Sequence, residues 1–154
     1  MIYSKIDRVN CMQTNSGNEL LNTWLSLTNI HSNINDELER ILQVNYSLSL
    51  KEFFVLYVLS QTDEKQLRLQ QLQEMVGLSQ SAISRLVGRM EEKSCGALQR
   101  HICEDDRRGI YTRITDLGEK KLHRALETFN QILQSSLLKD ELKKELQAII
   151  KNFN

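Results

Sequence analysis

The chain has 154 residues, 40% of them hydrophobic and 26% charged, and its 20 lysines and arginines are balanced by 20 aspartates and glutamates. Such numbers fit one soluble globular domain and exclude a disordered chain, and no apolar run approaches the roughly 20 residues of a membrane span. A net charge of zero also excludes a global attraction to nucleic acid, so any DNA-binding surface has to be local.

The first 18 residues are polar, with isolated Ile2, Ile6 and Val9 and no apolar block of the signal-peptide kind, so a flexible N-terminal segment and a cytoplasmic location are expected. Three cysteines, Cys11, Cys95 and Cys103, are too few and too odd in number for a disulfide framework and are read as reduced thiols. There is no proline, and most of the six glycines fall in the second half, which implies mostly helix.

From Glu19 to about Tyr46, apolar residues recur at three-and-four spacing, which predicts one long amphipathic helix. Ser49-Leu-Lys-Glu52 has the form of a capping box and starts a second helix, whose run Phe53 to Leu59 is apolar nearly all round. A polar turn over residues 61–66 follows. The next stretch, 69–76, is a short amphipathic helix ended by Gly77, and Ser79 can cap a further helix to about Lys93 with Ala82, Ile83, Leu86, Val87 and Met90 inward. Short helix, glycine turn and short helix make a helix-turn-helix. Residues 98–103 and 110–115 read as two strands around a charged tip, a wing. Thr115 caps a long helix with Leu117, Leu122, Ala125, Leu126, Phe129, Ile132, Leu133 and Leu137 on one face, and a last helix carries Leu142, Leu146, Ile149, Ile150 and Phe153. These outer stripes exceed what the small middle can cover, so they are expected to bury each other across a homodimer.

The fold class is therefore mainly α with a small antiparallel β-wing: a winged helix-turn-helix between long N- and C-terminal dimerisation helices. Its expected divisions are residues 1–18, 19–48, 49–115 and 116–154. A recognition helix presents short hydrogen-bonding side chains first and longer basic ones where phosphates pass. Ser79, Gln80, Ser81, Ser84, Arg85 and Arg89 supply that order; Gln80 can read an adenine edge and Arg85 a guanine or a phosphate. At the wing tip, Arg107 and Arg108 sit before Gly109, where Arg108 can enter a minor groove while Asp106 orients a guanidinium.

With those residues in view, the middle of the chain resembles the multiple antibiotic resistance regulator (MarR) family of bacterial winged-helix repressors. Its Leu-Ser-Gln-Ser-Ala-Ile-Ser-Arg-Leu-Val (78–87), Met-Glu-Glu-Lys (90–93), Asp-Asp-Arg-Arg (105–108) and Arg-Ile-Thr-Asp-Leu-Gly (113–118) carry the likeness. The resemblance implies an obligate dimer on a pseudo-palindromic site of double-stranded DNA, with the wing motif Asp-x-Arg at Asp106 and Arg108. It also implies a crevice for small aromatic effectors between the dimerisation helices and the DNA-binding lobe, for which Trp24, His31, Phe54 and Tyr57 are the candidates. One departure stands out: Lys93-Ser-Cys-Gly-Ala-Leu is about two residues longer than the family's passage into the first wing strand.

Other readings follow from other residues. Cys95, His101 and Cys103 could bind a soft metal or sense oxidants, although the set lacks a fourth ligand. His31, His101 and His123 are scattered, with no nucleophile elbow or phosphate-binding glycine loop, so no enzyme and no cofactor is expected. A winged helix that binds protein instead of DNA would not need arginines at both the recognition helix and the wing tip.

Overall fold

The computed structural model describes residues 18–92, 95–102 and 109–152. Helix α1 (Glu19–Tyr46) runs 28 residues, a rod of roughly 42 Å. Only Thr23, Leu38 and Leu42 along it are buried, and it ends in a left-handed Ser47 whose N–H donates back to the last turn. Helix α2 (Leu50–Ser60) starts at the expected capping box: the Glu52 N–H donates to Ser49 Oγ at 3.1 Å and the Ser49 N–H to Glu52 Oε2 at 2.9 Å. A second carboxylate, Glu39 of α1, accepts from the Leu50 N–H, so two acids meet the positive end of α2.

The structure then adds an element that sequence patterning did not predict. Strand β1 (Gln66–Arg68) pairs antiparallel with β3 (Ile110–Ile114), which in turn pairs with β2 (Leu98–Ile102), so the expected two-stranded wing is a three-stranded sheet in the order β1-β3-β2. Between β1 and β2 lie α3 (Leu69–Val76) and α4 (Gln80–Glu91). Gly77 joins these two helices at φ +68°, and a side chain there would meet nothing within 4 Å, so what requires glycine is the left-handed backbone. Helix α4 stops at Glu91, short of the expected Lys93, because Glu92 already has extended backbone.

Helix α5 (Asp116–Leu137) is capped by Thr115, and α6 (Asp140–Asn152) closes the chain. Gly118, in the first turn of α5, is needed for space: a Cβ there would stand 2.2 Å from the Ala97 carbonyl oxygen. The core gathers Leu56, Leu59, Leu72, Ile83, Val87, Met90 and Leu98 of the middle around Phe53, which stacks on Phe129 of α5 at 4.5 Å. Leu38 and Leu42 of α1 join the same core, and Tyr46 Oη and Thr128 Oγ1 share a 2.5 Å hydrogen bond that ties the end of α1 to α5. Outside it, Leu20, Leu21, Trp24 and Leu25 of α1, Leu137 of α5, Leu138 just after it and Ile150 of α6 are exposed in the single chain. Among the described residues, no helix is long and apolar enough to cross a membrane.

Candidate nucleic-acid interface

Helix α4 buries Ile83, Leu86, Val87 and Met90, with Ala82 half-buried. That orientation turns Gln80, Ser81, Arg85 and Arg89 to solvent and leaves Ser84 and Gly88 partly covered. Not all of these side chains are equally available. Ser79 is the N-cap: its hydroxyl accepts from the Ala82 N–H at 3.3 Å and lies 3.3 Å from Ser81 Oγ, so it holds the first turn in place. Arg89 leans toward α2, its guanidinium 3.7 Å from Glu52. Gln80 and Arg85 are left as the outward pair, on the first two turns of the helix.

The wing stands next to them. A cleft of 530 Å³ is lined by Arg68, Gln70, Gln73 and Glu74 at the start and along α3, by Gln80 of α4, and by Gly109 and Ile110 at the end of the wing. The first residue of α4 and the return strand of the wing thus open onto one concave surface. Asp106, Arg107, Arg108 and Cys103 lie outside the described residues.

Sequence reading did not single out the cations that the sheet brings together. Register places Gln66, Arg68, Tyr111 and Arg113 on one face, with His101 opposite Tyr111. Arg68 Nε donates to Tyr111 Oη at 2.9 Å with its guanidinium 5.7 Å from the ring centre, and Arg113 donates to Gln66 Oε1 at 3.0 Å. The signal was the alternation Gln66-Leu67-Arg68, too short to count as a strand until β3 pairs with it.

The thiol and imidazole candidates separate. His101 tilts over Tyr111 at 5.9 Å on the sheet, whereas Cys95 packs against the core in the connection before β2. Among the described residues, no three His, Cys, Asp or Glu side chains are grouped to hold a metal.

The effector candidates also part company. Phe54 is partly buried and packs against the core, edge-on to Phe53 and Phe129 at 6.0 and 6.2 Å. Trp24 is 66% exposed, Tyr57 and His31 face solvent, and Asn35 hydrogen-bonds the His31 ring at 3.1 Å. None of the four lines the groove of 1050 Å³ that does exist between α5 and the rest of the lobe. It is lined by Leu117, Leu122, Leu126 and Cys95 together with Lys120, Lys121 and Arg124, and by Glu119, which is paired with Lys65.

This architecture, a three-stranded winged helix-turn-helix held between long flanking helices, defines a class of transcription regulators. Residues 37–125, more than half of the chain, match the family model of the transcriptional regulators SarA/Rot. The chain belongs to the SarA/Rot family. Solved structures with the same fold include Sco3205, a MarR family transcriptional regulator from Streptomyces coelicolor solved in complex with DNA, at 23% identity over 94% of this chain and 90% of that one, TM-score 0.72. AbsC, a MarR family regulator from the same organism, follows at 22% identity over 93% and 95%, TM-score 0.72. The transcriptional regulator BldR from Sulfolobus solfataricus has 23% identity over 91% and 98%, TM-score 0.70. At these identities the likeness is one of fold. A search of curated proteins returns no match.

Proposed function

We propose that this transcription regulator is a cytoplasmic homodimer that binds a pseudo-palindromic operator in double-stranded DNA and represses by occluding a promoter. Helix α4 enters the major groove with Gln80, Ser81, Ser84 and Arg85 toward base edges and phosphates, and the wing arginines Arg107 and Arg108, steadied by Asp106, follow the adjacent minor groove. The observation that carries this reading is the shared cleft of Gln80, Arg68, Gly109 and Ile110: it sets recognition helix and wing on one concave side, as a duplex requires.

Residues 19–48 and 116–154 are the dimerisation helices in this reading. Their exposed Leu20, Leu21, Trp24, Leu25, Leu137 and Ile150 supply the apolar surface that a second copy would cover. The dimer then spaces two copies of α4 by roughly 34–36 Å, one turn of duplex. An effector would act by preferring a dimer of different spacing. The groove under α5, lined both by leucines and by Lys120, Lys121 and Arg124, suits a small anion with an apolar body.

The test is selection of the purified protein on a random-sequence duplex library at two salt concentrations. Enrichment of an inverted repeat, with affinity falling steeply as salt rises, is the expected outcome. A folded dimer that enriches nothing and ignores salt would assign the same surface to a protein partner, a role that zero net charge would suit.

A further inference from the structure

Recognition helix and wing are joined by one carboxylate. Glu91 is the last residue of α4, and both of its oxygens are taken by Arg100 of β2: Oε1 accepts from the Arg100 backbone N–H at 2.8 Å, and Oε2 from Arg100 Nε at 2.7 Å. Strand β2 is an edge strand, so an N–H on its open side has no neighbouring strand to bond. Glu91 occupies that place and grips the strand by its backbone as well as by a side chain. The rest of the joint is short-range: the Ala97 N–H donates to the Met90 carbonyl at 2.9 Å, and the Gly96 N–H to that of Glu92 at 2.7 Å. Among the described residues, the Glu91 clamp is the hydrogen-bonded link that reaches up the strand, past the base of the hairpin.

We infer that Glu91 and Arg100 are a positioning pair that sets the angle between recognition helix and wing, and through it the sequence specificity of DNA binding; the inference rests on the DNA-binding reading above. A five-residue strand extends about 16 Å, so a swing of about 10° at its base displaces its far end by roughly 3 Å, a full hydrogen-bond length. Contacts that must register with base edges are lost by such a shift, while contacts that only need a phosphate somewhere near a guanidinium are kept.

The charge of Glu91 makes the test clean. Removing an acid from a DNA-binding lobe raises its attraction to any duplex, so a loss of operator affinity on its removal cannot come from long-range electrostatics. The experiment uses the full chain, an operator obtained by selection, and a scrambled duplex of equal length. Affinities for both are measured for wild type, Glu91→Gln, Glu91→Ala, Arg100→Ala and the Glu91→Ala/Arg100→Ala double variant, with thermal midpoints alongside.

Glu91→Gln and Glu91→Ala should lose roughly tenfold on the operator while binding the scrambled duplex as well as wild type or better, and the double variant should discriminate no worse than Glu91→Ala alone. Glu91→Gln keeps an acceptor for the backbone N–H, so it tests the pair even if the alanine variant folds poorly. An operator-to-scrambled ratio that stays at the wild-type value in both Glu91 variants overturns the inference. So does an Arg100→Ala variant that loses both duplexes equally, since Arg100 would then be a phosphate contact. A wild-type protein that binds no duplex at all overturns the DNA reading, and the pair with it.

Discussion

The core of the middle and the outer ends of the flanks treat their apolar residues differently. In the lobe, Phe53, Leu56, Leu59, Ile83 and Val87 are almost wholly buried within one chain, and even the connection to α5 is so tight that Gly118 has no room for a methyl group. Along the outer part of α1, just after α5 and near the end of α6, Leu20, Trp24, Leu138 and Ile150 are each more than half exposed. The core of the lobe closes within one chain, with Leu38 and Leu42 of α1 and Leu122 and Ala125 of α5 contributing to it. The flanks leave apolar surface open in the single chain, and the proposed dimer is what would cover it.

The largest expected effect lies in the lobe. Phe53→Ala removes the ring stacked on Phe129 and should cost about 3–5 kcal/mol in urea denaturation at fixed protein concentration. Trp24→Asp should leave the lobe folded by circular dichroism yet weaken self-association by about a hundredfold in sedimentation, some 3 kcal/mol. A wild type that is monomeric at micromolar concentration would break the comparison outright. Gly118→Ala forces a Cβ against the Ala97 carbonyl and should destabilise by about 1–3 kcal/mol without altering association. Ser49→Ala, which removes the α2 cap, should cost about 1 kcal/mol.

The smallest effect sharpens the comparison at the lobe's surface. The backbone N–H of Arg100, then its side chain and charge, hold the Glu91 carboxyl below the usual range, partly opposed by desolvation. A depressed carboxylate stabilises the fold above its unfolded pKa of about 4.3 and loses that contribution as pH falls through the folded value. The thermal midpoints of wild type and Glu91→Gln should therefore differ most above about pH 5.5 and converge in more acid buffer. The gap corresponds to less than about 1 kcal/mol, because the pair is solvent-screened.

Much of the architecture was legible from local signals. The Ser49 capping box, the Gly77 left-handed stop, and the Ser79 and Thr115 caps each act within four residues, so the sequence alone determined where α2, α3, α4 and α5 begin or end, apart from the early stop of α4 at Glu91. The 3.6-residue period likewise determined which side of α4 is buried, and hence that Gln80 and Arg85 face outward.

Tertiary structure decided the rest. Strand β1 is three residues long and has no identity until β3 supplies its hydrogen bonds. Phe54, one aromatic among several at helical spacing, packs against the core because Phe129, seventy-five positions away, meets its ring. Glu91 and Arg100 meet because the end of a helix and the open edge of a strand are folded together, and the groove under α5 joins side chains from α2, from the connection before β2 and from α5 itself. Caps and periodicity are properties of a few consecutive residues, so they can be read in order along the chain. An edge N–H, a cleft or a clamp exists only after distant segments have been brought together.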